Sequence, residues 1–143
     1  ADSRVLIVSA DAGSLATAQA LSQLPPTQLS AVRGWIGLNG AGPSIDAPAS
    51  IERVQLVAAP QRGDLAPRDR QDHRRLAKQG PNDGTTLLAD QLVPGALTVP
   101  LLGQSPSDLD AYTIGAAALL LDRLSDTSAD RAVSSRDGAT TTP

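Results

Sequence analysis

The sequence predicts an α/β domain: a mostly parallel sheet of about four strands with flanking helices. Three observations carry this. Short runs dominated by Val, Ile, Leu and Ala recur along the chain, and the first, Arg4–Ser9, is a continuous apolar run of the kind buried on both faces of a parallel sheet. Stretches with helical spacing or helical composition separate them, the order expected of βα units. Turn clusters of Gly, Pro, Asn and Asp punctuate the boundaries.

Taken in order, Arg4–Ser9 (RVLIVS) reads as the first strand. In the segment after it, Leu15, Ala18, Leu21 and Leu24 repeat at helical spacing until Pro25-Pro26 stops the helix. Ala31–Leu38 is a second strand and Asn39-Gly40-Ala41-Gly42-Pro43 a turn. Ile51–Ala59 is a third strand, closed by Pro60. The polar stretch Asp64–Gln79 reads as one loosely held helix preceded by a loop, and Thr85–Leu92 as a short helix. Ala96–Leu102 is the fourth strand. Leu109–Leu124 is the best helix, with Leu109, Ile114, Ala117, Leu120, Leu121 and Leu124 on one face. From Ser125 the composition turns to Ser, Thr, Asp and Arg without periodicity. The expected organisation is therefore an α/β domain over 1–124 and a disordered tail over 125–143.

The composition excludes several function classes. A chain of 143 residues is one domain's worth, and 41% hydrophobic residues suffice for a core. With no Phe or Met, that core is aliphatic. No apolar run is long enough to span a bilayer, so no membrane partner is expected. Without Cys there is no disulfide framework, thiolate metal site or Cys nucleophile. One His cannot build a multi-His zinc centre, so neither metal nor cofactor is expected. A net charge of −3 with 1% aromatics argues against nucleic acid, which wants a basic face and stacking platforms. The opening Ala1-Asp2-Ser3 has no basic or apolar signal region, which leaves the compartment open.

Four places could carry chemistry. In Ser9-Ala10-Asp11-Ala12-Gly13 a buried strand runs into a helix with small residues around Asp11, the pattern of a nucleophile elbow. Asp11 would stand exposed at the strand end, where the N–H groups of the following helix, Ala12 first, favour developing negative charge. The same Asp is also a good helix cap, and both readings stand. Gly80-Pro81-Asn82-Asp83-Gly84-Thr85 is an acidic turn explained by its turn chemistry alone, with Asp83 a second carboxylate candidate. His73, in a charge run of Arg and Asp, is either a solvated surface residue or a displaced base. Asn39 and Gly40 open a glycine turn that lacks the ending of a phosphate loop but could face a ligand. Of the aromatics, Trp35 sits mid-strand and reads as core, whereas Tyr112 opens the last helix within reach of the strand-end loops.

Together these pieces resemble the C-terminal part of an α/β-hydrolase over residues 4 to 124. VLIVSADAGSLATAQAL resembles the elbow strand and helix, and LSAVRGWIGLNGAGPSIDAP the next strand and turn. GPNDGTTLLADQLVPG resembles the acid-bearing loop, and ALTVPLLG with the helix after it the last strand and closing helix. The resemblance implies a hydrolase-like sheet that is incomplete on its N-terminal side, with Asp11 at the nucleophile position and Asp83 as the acid. It also implies a base on the loop after the last strand, but Gly103-Gln104-Ser105-Pro106-Ser107-Asp108 contains no His. His73 precedes Asp83, against the family's order.

Three functions follow. The first is hydrolysis of a small-molecule ester or amide with Asp11 at the nucleophile position, which would need a base to clear the covalent ester. The second is a non-catalytic binding or interaction module that keeps the hydrolase fold. The third is a small Rossmann-like lobe holding a polar ligand between the strand-end loops at Asp11 and Asn39. A sheet cut at the elbow strand exposes an apolar edge, which predicts self-association or a partner chain to cover it.

Overall fold

The computed structural model describes residues 4–39, 48–105 and 108–137. The strands are β1 (Val5–Ala10), β2 (Val32–Leu38), β3 (Arg53–Ala59) and β4 (Leu97–Leu102). They form one four-stranded sheet, all parallel, in the order β1-β2-β3-β4. The α/β class and parallel sheet read from the sequence are thus the observed ones.

Helix α1 (Gly13–Gln23) follows β1, and a single helical turn, α2 (Pro26–Leu29), begins where the Pro pair stops α1. Pro26 ends one helix and starts the next because its fixed φ suits the first turn, where no N–H is needed. The expected Asp64–Gln79 helix is shorter: α3 covers Asp69–Leu76, and Arg62–Asp64 ahead of it is a 3₁₀ turn closed by the bond from Gln61 N–H to the Asp64 carboxylate (2.8 Å). The expected helix over Thr85–Leu92 reduces to a 3₁₀ turn at Leu88–Gln91, because Thr85 and Thr86 are engaged by Asp83.

Two apolar layers sandwich the sheet. On one face α1 packs through Ala18 and Leu21 against Trp35 and Ile51, with Ile7 and Val32 at the margin. On the other, α4 (Ala111–Asp137) packs through Ala117 and Leu121 on Ile36, Val54 and Leu56. The alternation along β2 and β3 explains the split: Trp35 and Arg53 face α1, Ile36 and Val54 face α4. Gly34 is small because the methyl groups of Leu121 lie 3.0 Å from where its Cβ would stand.

Helix α4 overrides one expectation. It runs past the expected end at Leu124 and continues to Asp137. Polar contacts hold the added turns and the stretch before them: the Arg33–Asp122 ion pair, and a 2.7 Å hydrogen bond from Ser128 Oγ to Glu52 Oε1. Hydropathy periodicity is blind to such contacts.

The α1 side of the sheet is not purely apolar. Trp35 Nε1 donates to Ser9 Oγ (2.7 Å), which is also hydrogen-bonded to Ser14 Oγ (3.0 Å). Arg53, only 3% exposed, stacks 3.7 Å over the Trp35 ring and donates to Gln55 Oε1 (2.7 Å). Gly37 makes room, since a Cβ there would lie 2.1 Å from Gln55 Oε1. Arg53 Nε and Nη1 have no partner among the described residues, and burial lowers its pKa to about 10.

Candidate functional site

Because all four strands run the same way, their C-terminal ends lie along one rim, where ligands of open α/β sheets bind. A cleft of about 500 Å³ opens on that rim, lined among others by Asp11, Asp64, Asp69, Asp83, Thr85 and Ser105. Asp11 comes from the β1–α1 turn, Asp83 and Thr85 from the loop before the Leu88–Gln91 turn, and Ser105 from the loop after β4. The two carboxylates singled out in the sequence, far apart along the chain, therefore share one cleft.

They are built differently. Asp11 has φ +46°, a left-handed conformation unusual for a residue with a Cβ. The sharp turn from β1 into α1 requires it. Asp11 N–H still bonds to Leu38 O (3.0 Å), extending the β1–β2 ladder, while Asp11 O already accepts Ser14 N–H (3.0 Å) from the first helical turn. The side chain is exposed, and α1 has no side-chain cap. Ala12 is the residue that leads into α1, and it is exposed beside Asp11.

Asp83 is 4% exposed and occupied. Its Oδ1 accepts Thr85 N–H (2.8 Å), Thr85 Oγ1 (2.9 Å) and Thr86 N–H (2.7 Å), and its Oδ2 accepts Gln91 Nε2 (3.0 Å). Asn82 beside it braces the same loop, accepting Gly84 N–H (3.0 Å) and donating to His73 O (3.2 Å) and Gly80 O (3.3 Å). Gly80 and Gly84 take φ of +157° and +98°, which lets the loop close on itself.

The remaining sequence candidates lie elsewhere. His73 lines a different cavity, with Pro60, Pro81, Asn82 and Leu102, and the hydrogen bond joining it to the acid loop is made by its backbone carbonyl. Asn39 takes φ +48° at the end of β2 and spends its side chain on the sheet, accepting Ala58 N–H at Oδ1 (2.8 Å). Gly40 is outside the described residues. Tyr112 is 86% exposed and does not line the cleft.

Three cleft residues were not singled out in the sequence: Ser105, Asp64 and Asp69. Ser105 is buried on the loop after β4, with both its N–H and Oγ bonded to Asp108 Oδ2 (2.8 and 2.9 Å). Its position follows from strand order alone, since that loop must return to the same rim. Asp64 and Asp69 reach the cleft from the segment before α3 and its first turn, and only the tertiary path of that segment brings them there. Among the described residues no group of three or more His, Asp or Glu is arranged to hold a metal ion, and no helix is long and apolar enough to cross a membrane. No protein-family model, curated protein or solved structure matches this chain.

Proposed function

We propose that this chain is a hydrolase-like α/β module that binds a small polar molecule, of the ester or amide kind, in its strand-end cleft without turning it over. The observation that carries this is the occupancy of Asp83. Three hydrogen bonds from its own loop fall on Oδ1 and one from Gln91 on Oδ2, so its charge is engaged in holding that loop, and no histidine is among the described residues that line the cleft. The histidine that would be that base lines another cavity. The described cleft lining offers carboxylates from Asp11, Asp64, Asp69 and Asp83 but no histidine, so it can hold a ligand while lacking the imidazole base that a hydrolase of this kind uses to activate water.

A second reading has its own support. Asp11 combines a strained backbone, an exposed carboxylate and a position where α1 begins, the arrangement that makes an elbow residue nucleophilic. Attack on an acyl carbon would expel the alcohol and leave a mixed anhydride on Asp11, with no histidine in the described cleft lining to direct water.

The deciding experiment treats the native chain and Asp11→Ala with a short-chain p-nitrophenyl ester, and measures melting temperature with the corresponding, less reactive p-nitroanilide. Binding without turnover predicts a rise in melting temperature that Asp11→Ala abolishes, and no p-nitrophenol above background. A burst of p-nitrophenol near one equivalent per chain, absent from Asp11→Ala, would replace this reading with the nucleophile. Sustained turnover would show that a base exists in the cleft.

A further inference from the structure

The two edges of the sheet are not equivalent. At β4, Gly103 N–H bonds to Ala59 O (2.9 Å), so by alternation the odd-numbered residues of β4 point their polar groups at β3 and Pro100 points outward. A proline cannot donate, so the outer rail of β4 is broken in its middle, a common protection of an edge strand. At β1, Val5 N–H and Asp11 N–H bond to Ala31 O and Leu38 O, so Leu6, Val8 and Ala10 present theirs outward. Among the described residues nothing pairs with that rail. The strand, VLIVSA, has no proline, no charge and no glycine, and Val5 and Val8 are 56% and 43% exposed. Helix α4 packs on β2 and β3, leaving β1 only marginally covered on that side.

We propose that this rail is the site of a second copy of the same chain, paired antiparallel with β1 to give one continuous sheet across a two-fold axis. Two features select this occupant. The strand is self-complementary: an axis through Ile7 sets Leu6 opposite Val8 of the second copy and Arg4 opposite its Ala10, with like faces aligned and all outward-pointing groups paired. Arg4 immediately precedes the strand and Asp11 immediately follows it. Antiparallel pairing brings the Arg4 end of each copy to the Asp11 end of the other, whereas parallel pairing would set like charge against like. The second copy thereby adds a cation to the rim of the cleft, at the carboxylate that the chain itself leaves without a cap to make. This proposal does not depend on whether the cleft binds or reacts.

Sedimentation equilibrium of the native chain tests it, with Val8→Lys as the disrupting variant and Leu102→Lys as the control at the opposite edge. The expected result is a dimer, weakened on the order of tenfold by Val8→Lys because the two-fold axis sets the two introduced ammonium groups side by side on one sheet face and removes the Val8–Leu6 contacts, and unchanged by Leu102→Lys. A native chain that stays monomeric at high micromolar concentration overturns the proposal, as does a dimer that survives Val8→Lys with its fold intact. Should Val8→Lys fail to fold, the absence of native cysteine supplies a second test. Arg4→Cys and Ala10→Cys chains, mixed and oxidised, give a covalent dimer under this pairing, and no cross-link counts against it.

Discussion

Asp11 and Asp83 line the same cleft and do opposite work. Asp83 is buried, accepts four hydrogen bonds and organises the loop around it, so its charge is spent on structure. Asp11 is exposed, sits on a left-handed backbone and leaves the capping of α1 undone, so the fold holds it at a conformational cost with no structural return in view. The contrast teaches that a carboxylate's partners, more than its location, separate a structural acid from one available to a ligand.

The comparison can be broken by mutation. Asp83→Ala strands the Thr85 and Thr86 N–H groups and the Gln91 amide, and it is expected to lower unfolding free energy by about 3 kcal/mol in urea titration. A loss below about 1 kcal/mol would mean that water replaces the carboxylate and that Asp83 is less structural than its geometry implies.

Asn39 offers an internal control, because it shares the positive φ of Asp11 but uses its side chain. Asn39→Ala removes the bond to Ala58 N–H and forces a Cβ without a polar partner into the left-handed region. The expected cost is about 2 kcal/mol by the same titration. Asp83→Asn sharpens the point further. Gln91 Oε1 has no partner among the described residues, so a flip of the Gln91 amide lets it accept from the side-chain amide introduced at position 83, and the loss should be only about 1 kcal/mol. Retained Thr85 and Thr86 amide protection in hydrogen exchange would confirm that the loop survives.

The smallest effect has the opposite sign. Asp11→Gly relieves the left-handed strain and gives up no hydrogen bond, so it should raise stability by about 0.5 kcal/mol while removing ligand-induced stabilisation. A residue whose removal steadies the fold and silences the site is one held for function. If Asp11→Gly destabilises instead, Asp11 belongs with Asp83.

Much of this architecture was legible in the chain. VLIVSA, VRGWIGL, RVQLVAA and LTVPLL are short, mainly apolar runs that pack as strands, buried on both faces only in the central β2 and β3, and α1 stops at Pro25-Pro26 for a purely local reason. That Asp11 and Asp83 would meet was legible through the order of elements, since parallel strands carry their following loops to one rim. The division of labour between them was not. Nothing in Pro81-Asn82-Asp83-Gly84 says that Gln91 will close the second oxygen, and nothing in Asn39-Gly40 says that Asn39 will bond to β3 instead of a ligand.

The sequence by itself determined the elements, the parallel sheet and the aliphatic composition of its core, because these follow from periodicity and from what each backbone step allows. Tertiary structure decided which polar groups are spent. It buried Arg53 over Trp35, carried α4 past its apolar stripe to Asp137 through contacts with Glu52 and Arg33, placed His73 beside a different cavity, and set Pro100 on the outer rail of β4 while no described residue pairs with the outer rail of β1. Those outcomes depend on partners distant in sequence, and a hydrogen bond or a burial exists only once the chain has brought both sides together.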